Sequence, residues 1–283
     1  MSELFSIYLL IATVAAGIRL ATPFLLASLG EALGQRSGVL NLGVDGVMLL
    51  GAFGAYYTVL KTNNVLLGVV FGIGIGAAMG LAYAIITVHL RAEQGISGIG
   101  IYLFGLGMSD LLFQKLVGTP RPIMPFMMVP IPGLADLPVV GEMFFQHTLM
   151  VYLAFLLVPV MTFMINSTTF GLNVRAMGEN PEAADSLGVS VALVRYAAIV
   201  AGNALAGLAG AALAIELGIF QQNLTNAMGF IAIALVYFGA WRPLGVMTGS
   251  LVFGMVAAIV LQCKTLGIIP RSASDLAAMA PAV

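Results

Sequence analysis

Four ionisable residues lie inside or beside long apolar stretches of this chain: Arg19, Asp45, Asp110 and Glu216. Charge is costly in hydrocarbon and turns toward a cavity or a partner group. Scattered as they are, these four fit a polar solute path and structural ion pairs equally well. Asn41 stands four residues before Asp45, which puts the two on one face of a helix. That pair reads as a hydrated pathway or hinge, or else as polar packing between helices. Glu182 and Asp185, three apart, can present two carboxylates on one side of a short helix. A membrane enzyme needs a nucleophile, a base or a metal cluster at one depth. No HExxH, no GxSxG and no carboxylate pair within a span occurs. His89 and His147 are far apart, and neither has a metal-ligand partner at helical spacing. The single cysteine, Cys263, excludes an internal disulfide. Without GxxxxGK[ST] the chain has no P-loop for ATP. The residues supply no catalytic constellation.

The 283 residues are 60% hydrophobic and 8% charged, against about 25% charged in soluble domains. This is the composition of an integral membrane protein surrounded by lipid. A net charge of −1 gives no case for a nucleic-acid partner. The first apolar block follows MSE and no basic segment, so no signal peptide is expected. With about 20 apolar residues needed per crossing, the blocks predict an all-α polytopic protein of about eight or nine membrane helices, read as a single domain over residues 1–283. Block one, 4–29, contains Arg19 and Pro23 and is one kinked helix or two short ones. A polar hinge is expected over 30–38. Block two, 39–60, would carry Asn41 and Asp45 near its start. Block three, 65–90, holds Gly68, Gly72, Gly76 and Gly80 at strict four-residue spacing, a smooth stripe for close helix packing. Block four, 96–117, is glycine-rich and includes Ser97, Tyr102 and Asp110. The stretch 118–146 holds six of the twelve prolines, which forbids a regular helix. Its methionines and Phe126 make it too apolar for a disordered tail, so it is expected to be an ordered external loop. Blocks five, six and eight cover 148–165, 196–218 and 246–261. Block seven, 227–240, is short for a span and reads as a tilted or a re-entrant helix. Lysine and arginine divide equally between the two sides, so charge leaves the orientation open.

The element most sharply punctuated is the polar stretch 166–195, NSTTFGLNVRAMGENPEAADSLGVSVALVR. Asn180 suits a helix N-cap and Pro181 the first helical position. Glu182 lies near the positive end of the helix dipole. Ala183 and Ala184 continue the helix, and Gly188 offers the stop. A capped two-turn helix between spans is placed to receive a push from a soluble partner, or simply to join two helices.

GEALGQRSGVLNLGVDGVMLLGAF resembles the N-terminal signature of ABC importer permeases of the branched-chain amino-acid and simple-sugar superfamily. RAEQGISG, MPFMMVPIPGLADLPVVGEMFF, FGLNVRAMGENPEAADSLGVSV and GFIAIALVYFGAWRPLG are similar to segments of its nucleoside-importer branch, in the same order. The resemblance implies a multi-pass subunit of the bacterial inner membrane that binds no cofactor itself. ATP and Mg would be used by a cytoplasmic ABC ATPase. It further implies a second permease subunit, identical or paralogous, and a substrate-binding lipoprotein. Glu179, Asn180, Pro181, Glu182, Ala183, Ala184, Asp185 and Gly188 match the coupling helix that docks on the ATPase. Asn41, Asp45, Ser97 and Tyr102 are the candidate pathway or hinge residues. This chain has Asp45 where the family has glutamate, and Tyr102 where asparagine is frequent. The family has a further span after the stretch matching 274–281, so the final family helix is expected to be absent. The same machinery carrying a simple sugar or branched-chain amino acid is the neighbouring alternative. An ion-coupled secondary transporter or channel would instead need inverted repeats, and none is visible.

Overall fold

A computed structural model describes residues 7–267. The start of block one at Leu4 and the stretch 274–281, on which the missing-helix expectation rests, lie outside the described residues. Eleven helices are formed among them. They are α1 (Ile7–Arg36), α2 (Val44–Thr62), α3 (Val65–Ala84), α4 (Gln94–Leu116), α5 (Val140–Phe144), α6 (Leu149–Ser167), α7 (Thr169–Glu179), α8 (Pro181–Ser186), α9 (Val191–Leu217), α10 (Met228–Phe238) and α11 (Pro243–Thr265). A π-helical turn, Ile85–His89, ends α3. Six of these, α1, α3 (counted on through its π turn), α4, α6, α9 and α11, are long and apolar enough to cross a membrane. α2 has 19 residues but carries Asp45 and Lys61 near its ends, and α10 has only 11.

α9 is the axis. It packs on α1, α2 and α3, and 78% of its most apolar stretch is buried. Backbone approach, not large side chains, makes this possible. A Cβ on Gly76 of α3 would collide with the Asn203 carbonyl and lie 2.9 Å from Gly207 Cα. One on Gly72 would lie 2.7 Å from Ala211 Cβ, and one on Gly80 would lie 2.7 Å from Asn203 Cβ. Gly68 faces Val59 of α2. The four glycines thus form one face, turned toward α9 and α2. Without a hydrophobic difference between lipid and helix, such close packing supplies the association energy.

Three boundaries depart from the sequence expectation. α1 is a single helix running through Pro23 to Arg36. Residues 30–36 of the polar stretch do not break it, because Gly30 serves contact with Gly202 of α9 and Gln35 donates to Glu31 along the helix at 2.9 Å. The break lies further on, at residues 37–43, and α2 begins only at Val44. Asn41 therefore precedes the helix, and its helical spacing to Asp45 does not apply. The proline-rich loop is ordered, but it also contains a ribbon. β1 (Met128–Pro130) pairs antiparallel with β2 (Gln146–Thr148), aligning Val129 with His147. Tyr56 Oη donates to the Arg121 carbonyl at 2.9 Å, and Ile123 N donates to Gly218 O at 2.8 Å. These bonds tie the loop to the ends of α2 and α9.

Candidate functional site

Residues 37–43 form irregular backbone buried among helices. Polar groups in such a place must be satisfied internally, and here partners come from every side. Asn41 N donates to Glu31 Oε1 at 3.1 Å, and Asn41 Oδ1 accepts from Gly43 N at 2.8 Å. Asn41 Nδ2 donates to Asn203 Oδ1 at 2.8 Å, and Asn203 Nδ2 donates to Ile199 O at 2.8 Å. Leu40 N donates to Gln94 Oε1 at 2.9 Å, while Tyr83 Oη donates to Leu40 O at 2.6 Å. Arg195 Nε reaches Ser37 O at 3.2 Å. The break between α1 and α2 is thereby latched to α3, α4 and α9. Glu31, Tyr83, Gln94 and Asn203 escape a sequence search for chemistry, because each acts on backbone or amide groups far away in the chain. A lone asparagine within the apolar α9 is the one signal that could have found any of them.

Asp45 sits at the meeting of two helix N-termini. It is in the first turn of α2, and its Oδ1 accepts from Gly229 N, in the first turn of α10, at 2.8 Å. α10 has no side-chain cap from its own N-cap residue, so Asp45 provides one from 184 residues away. Carboxylates favour this end of the helix dipole. A Cβ on Gly229 would collide with the Asp45 backbone, so only glycine admits the contact. Asp45 Oδ2 and the Thr225 hydroxyl are buried side by side next to it. Gly46 lets α4 approach: its added Cβ would lie 2.6 Å from Tyr102 Cα. Tyr102 in turn meets the Phe230 ring edge to face, at 5.2 Å and 74°. The structure thus brings Asp45 and Tyr102 together and adds Thr225, Gly229 and Phe230. Asn41 belongs to the neighbouring latch. Ser97 stands apart, its hydroxyl donating to Glu93 O at 2.6 Å within α4. At the start of that helix the Glu93 carboxylate accepts from Ile96 N and Gly95 N, and these two bonds hold it below the usual glutamate range.

Of the remaining charges, Arg19 and Glu216 face each other across a cavity of about 210 Å³ between α1 and α9, with Thr148 on its wall. Asp110 has one buried carboxylate oxygen without a partner.

α8 lies on the surface at the end of the bundle where α1 finishes. Asn180 Oδ1 accepts from Ala183 N at 3.0 Å, Pro181 opens the helix, and Gly188 closes it at φ +83°. Ala184 is buried in a cluster that includes Met161, Ile165, Val174, Met177 and Val194. That single inward alanine fixes the roll of the helix. Glu182, Ala183 and Asp185 point outward with Glu179 and Asn180, and Leu187 is 84% exposed. A polar cleft of about 680 Å³ runs beside it, lined by Arg91, Gln94, Glu182, Asp185 and Arg195 among others.

The chain is similar to a putative glucose ABC transporter permease of Haloferax volcanii, 41% identical over 89% of this chain and 78% of the relative. It is similar to a guanosine ABC transporter permease of Bacillus subtilis, 33% identical over 87% and 81%. A nucleoside ABC transporter permease of Lactococcus lactis is 32% identical over 93% and 86%. No solved structure matches the chain. The family described as branched-chain amino acid transport system, permease component, matches residues 13–278; this chain, with its bundle of membrane-length helices, belongs to that family of ABC transporter permeases.

Proposed function

We propose that the solute carried by this permease is a nucleoside, and that α8 is the element through which a cytoplasmic ABC ATPase moves the bundle. The observation that carries the coupling role is the roll of α8. One alanine anchors it inward, while two carboxylates, Ala183 and Leu187 face outward. The outward set is Glu179, Asn180, Glu182, Ala183, Asp185, Leu187 and Gly188. ATP and Mg are used by the partner, and closure of the ATPases reorients the helices as rigid bodies. The α8 side is then cytoplasmic, and the protein resides in the bacterial inner membrane. With α2 and the half-length α10 added to the six long spans, the described residues of the single permease domain form eight membrane helices.

The choice of solute rests on the relatives. The guanosine and nucleoside permeases among them support a nucleoside, the glucose permease a simple sugar. Bacillus subtilis has two guanosine permease proteins, 33% and 24% identical to this chain, which supports a paralogous second permease. A substrate-binding lipoprotein completes the assembly. The test is ATP-dependent uptake by the complex in proteoliposomes. Labelled guanosine should enter and be displaced by unlabelled nucleosides. Displacement by glucose alone would make this a sugar permease.

A further inference from the structure

We propose that Tyr102 and Phe230 form the aromatic wall against which the base of the solute passes at mid-membrane, with Asn226 as its polar neighbour. This rests on the nucleoside reading and assigns its specificity to named side chains. Depth comes first. Trp241, just past α10, is tied to the end of α1, where Arg36 Nε donates to Trp241 O at 2.9 Å and Trp241 Nε1 donates to Gln35 Oε1 at 2.7 Å. The 11 residues of α10 then rise about 16 Å, roughly half of a 30 Å hydrocarbon core. Phe230, in the first turn of α10, is therefore near the midplane.

The chain reaches that point from the other side without a helix. Residues 219–227 descend from the end of α9, with Asn223, Asn226 and Ala227 at positive φ. Gln221, Gln222, Asn223 and Asn226 are all exposed. Irregular backbone with open amide side chains is not tolerated against acyl chains; at this depth it faces water or protein. Phe230, four residues on from Asn226, follows directly on this stretch. Phe230 is 38% exposed there and Tyr102 partly so, and their edge-to-face contact leaves ring surface open. A base has a π-face to lay on these rings, and contact of this kind tolerates every base. The Asn226 amide can donate to or accept from the base edge or the ribose. A plain sugar offers hydroxyls but no aromatic ring. The pair therefore sorts nucleosides from sugars without recognising which nucleoside it is.

The experiment uses the whole reconstituted complex, with guanosine, uridine and glucose as probes. Tyr102→Leu and Phe230→Leu should each lower guanosine and uridine uptake per ATP hydrolysed by roughly tenfold. Tyr102→Phe, which keeps the ring, should stay within about twofold. ATPase and second permease should co-purify as with the parent protein. Wild-type nucleoside uptake in both leucine variants overturns the wall, as does loss of the second permease, which would make the pair a subunit contact. A parent complex that imports neither nucleoside defeats the function reading itself and the wall with it. A second readout is independent of the leucine variants. In a Trp241→Phe background, Tyr102→Trp should be quenched by guanosine during turnover and not by glucose. Equal response to both would overturn the inference.

Discussion

Gly76 and Gly74 lie two residues apart on α3 but meet opposite surroundings, which makes a matched test of the helix seam. A Cβ on Gly76 collides with the Asn203 carbonyl and crowds Gly207. Backbone on the facing helix cannot turn aside as a side chain can. Gly76→Ala should therefore cost roughly 1–3 kcal/mol, the usual range for overpacking. Gly74 is exposed, and its added Cβ would meet nothing within 4 Å. Gly74→Ala removes only glycine's helix penalty and should stabilise by up to about 1 kcal/mol. The two variants should differ by about 1–4 kcal/mol, roughly fivefold or more in the folded-to-unfolded ratio. Thermal or denaturant unfolding of the purified protein in one detergent measures this, with Gly76→Leu as the more severe form. Equal stability of the two alanine variants would mean that α3 does not meet α9 through this face.

Asn203→Ala should destabilise the latch by about 1–3 kcal/mol, because Asn41 Nδ2 is left buried without its acceptor; denaturant unfolding checks the size, and a neutral result would remove Asn203 from the latch. The Glu93 bonds to Ile96 N and Gly95 N give a pH signature. A depressed folded-state value means this stabilisation is full above the ordinary 4.5 and is lost as pH falls through the lower folded value. Protection of the Gly95 and Ile96 amides against hydrogen exchange, corrected for intrinsic rates, should fall only below that range, and Glu93→Ala should abolish the pH dependence. Ala183→Trp should leave unfolding unchanged while releasing the ATPase, whereas Ala184→Trp should destabilise the bundle itself, since Ala184 is 4% exposed.

The glycine stripe, the ordered proline loop and the caps of α8 were legible because each depends on neighbours close in the chain. Asn180, Pro181 and Gly188 state a helix and its two ends within nine positions. What escaped depends on distant partners. Gly30 looked like a hinge residue, yet its lack of a side chain serves contact with Gly202. Asn41 and Asp45 looked like a helical pair, but the helix starts between them, and they face Asn203 and Gly229 respectively. Phe230 gave no sign, since an aromatic residue in an apolar block is ordinary. Only the short length of block seven hinted that its start would lie inside the membrane. Of the two alanines of α8, spacing alone could not say which faced in, because that is set by Met161, Ile165 and Val194 from other helices.

The central claim is that α8 is the contact through which an ATPase drives this permease. Glu182→Arg combined with Asp185→Arg reverses both outward carboxylates without touching the buried Ala184. The direct measurement is co-purification of the ATPase with the tagged permease, run beside ATP-driven guanosine uptake. The account predicts that the double variant folds and reaches the membrane, no longer retains the ATPase, and takes up nothing. A double variant that still holds the ATPase and still transports would contradict it, and α8 would then be only a capped connection between two spans.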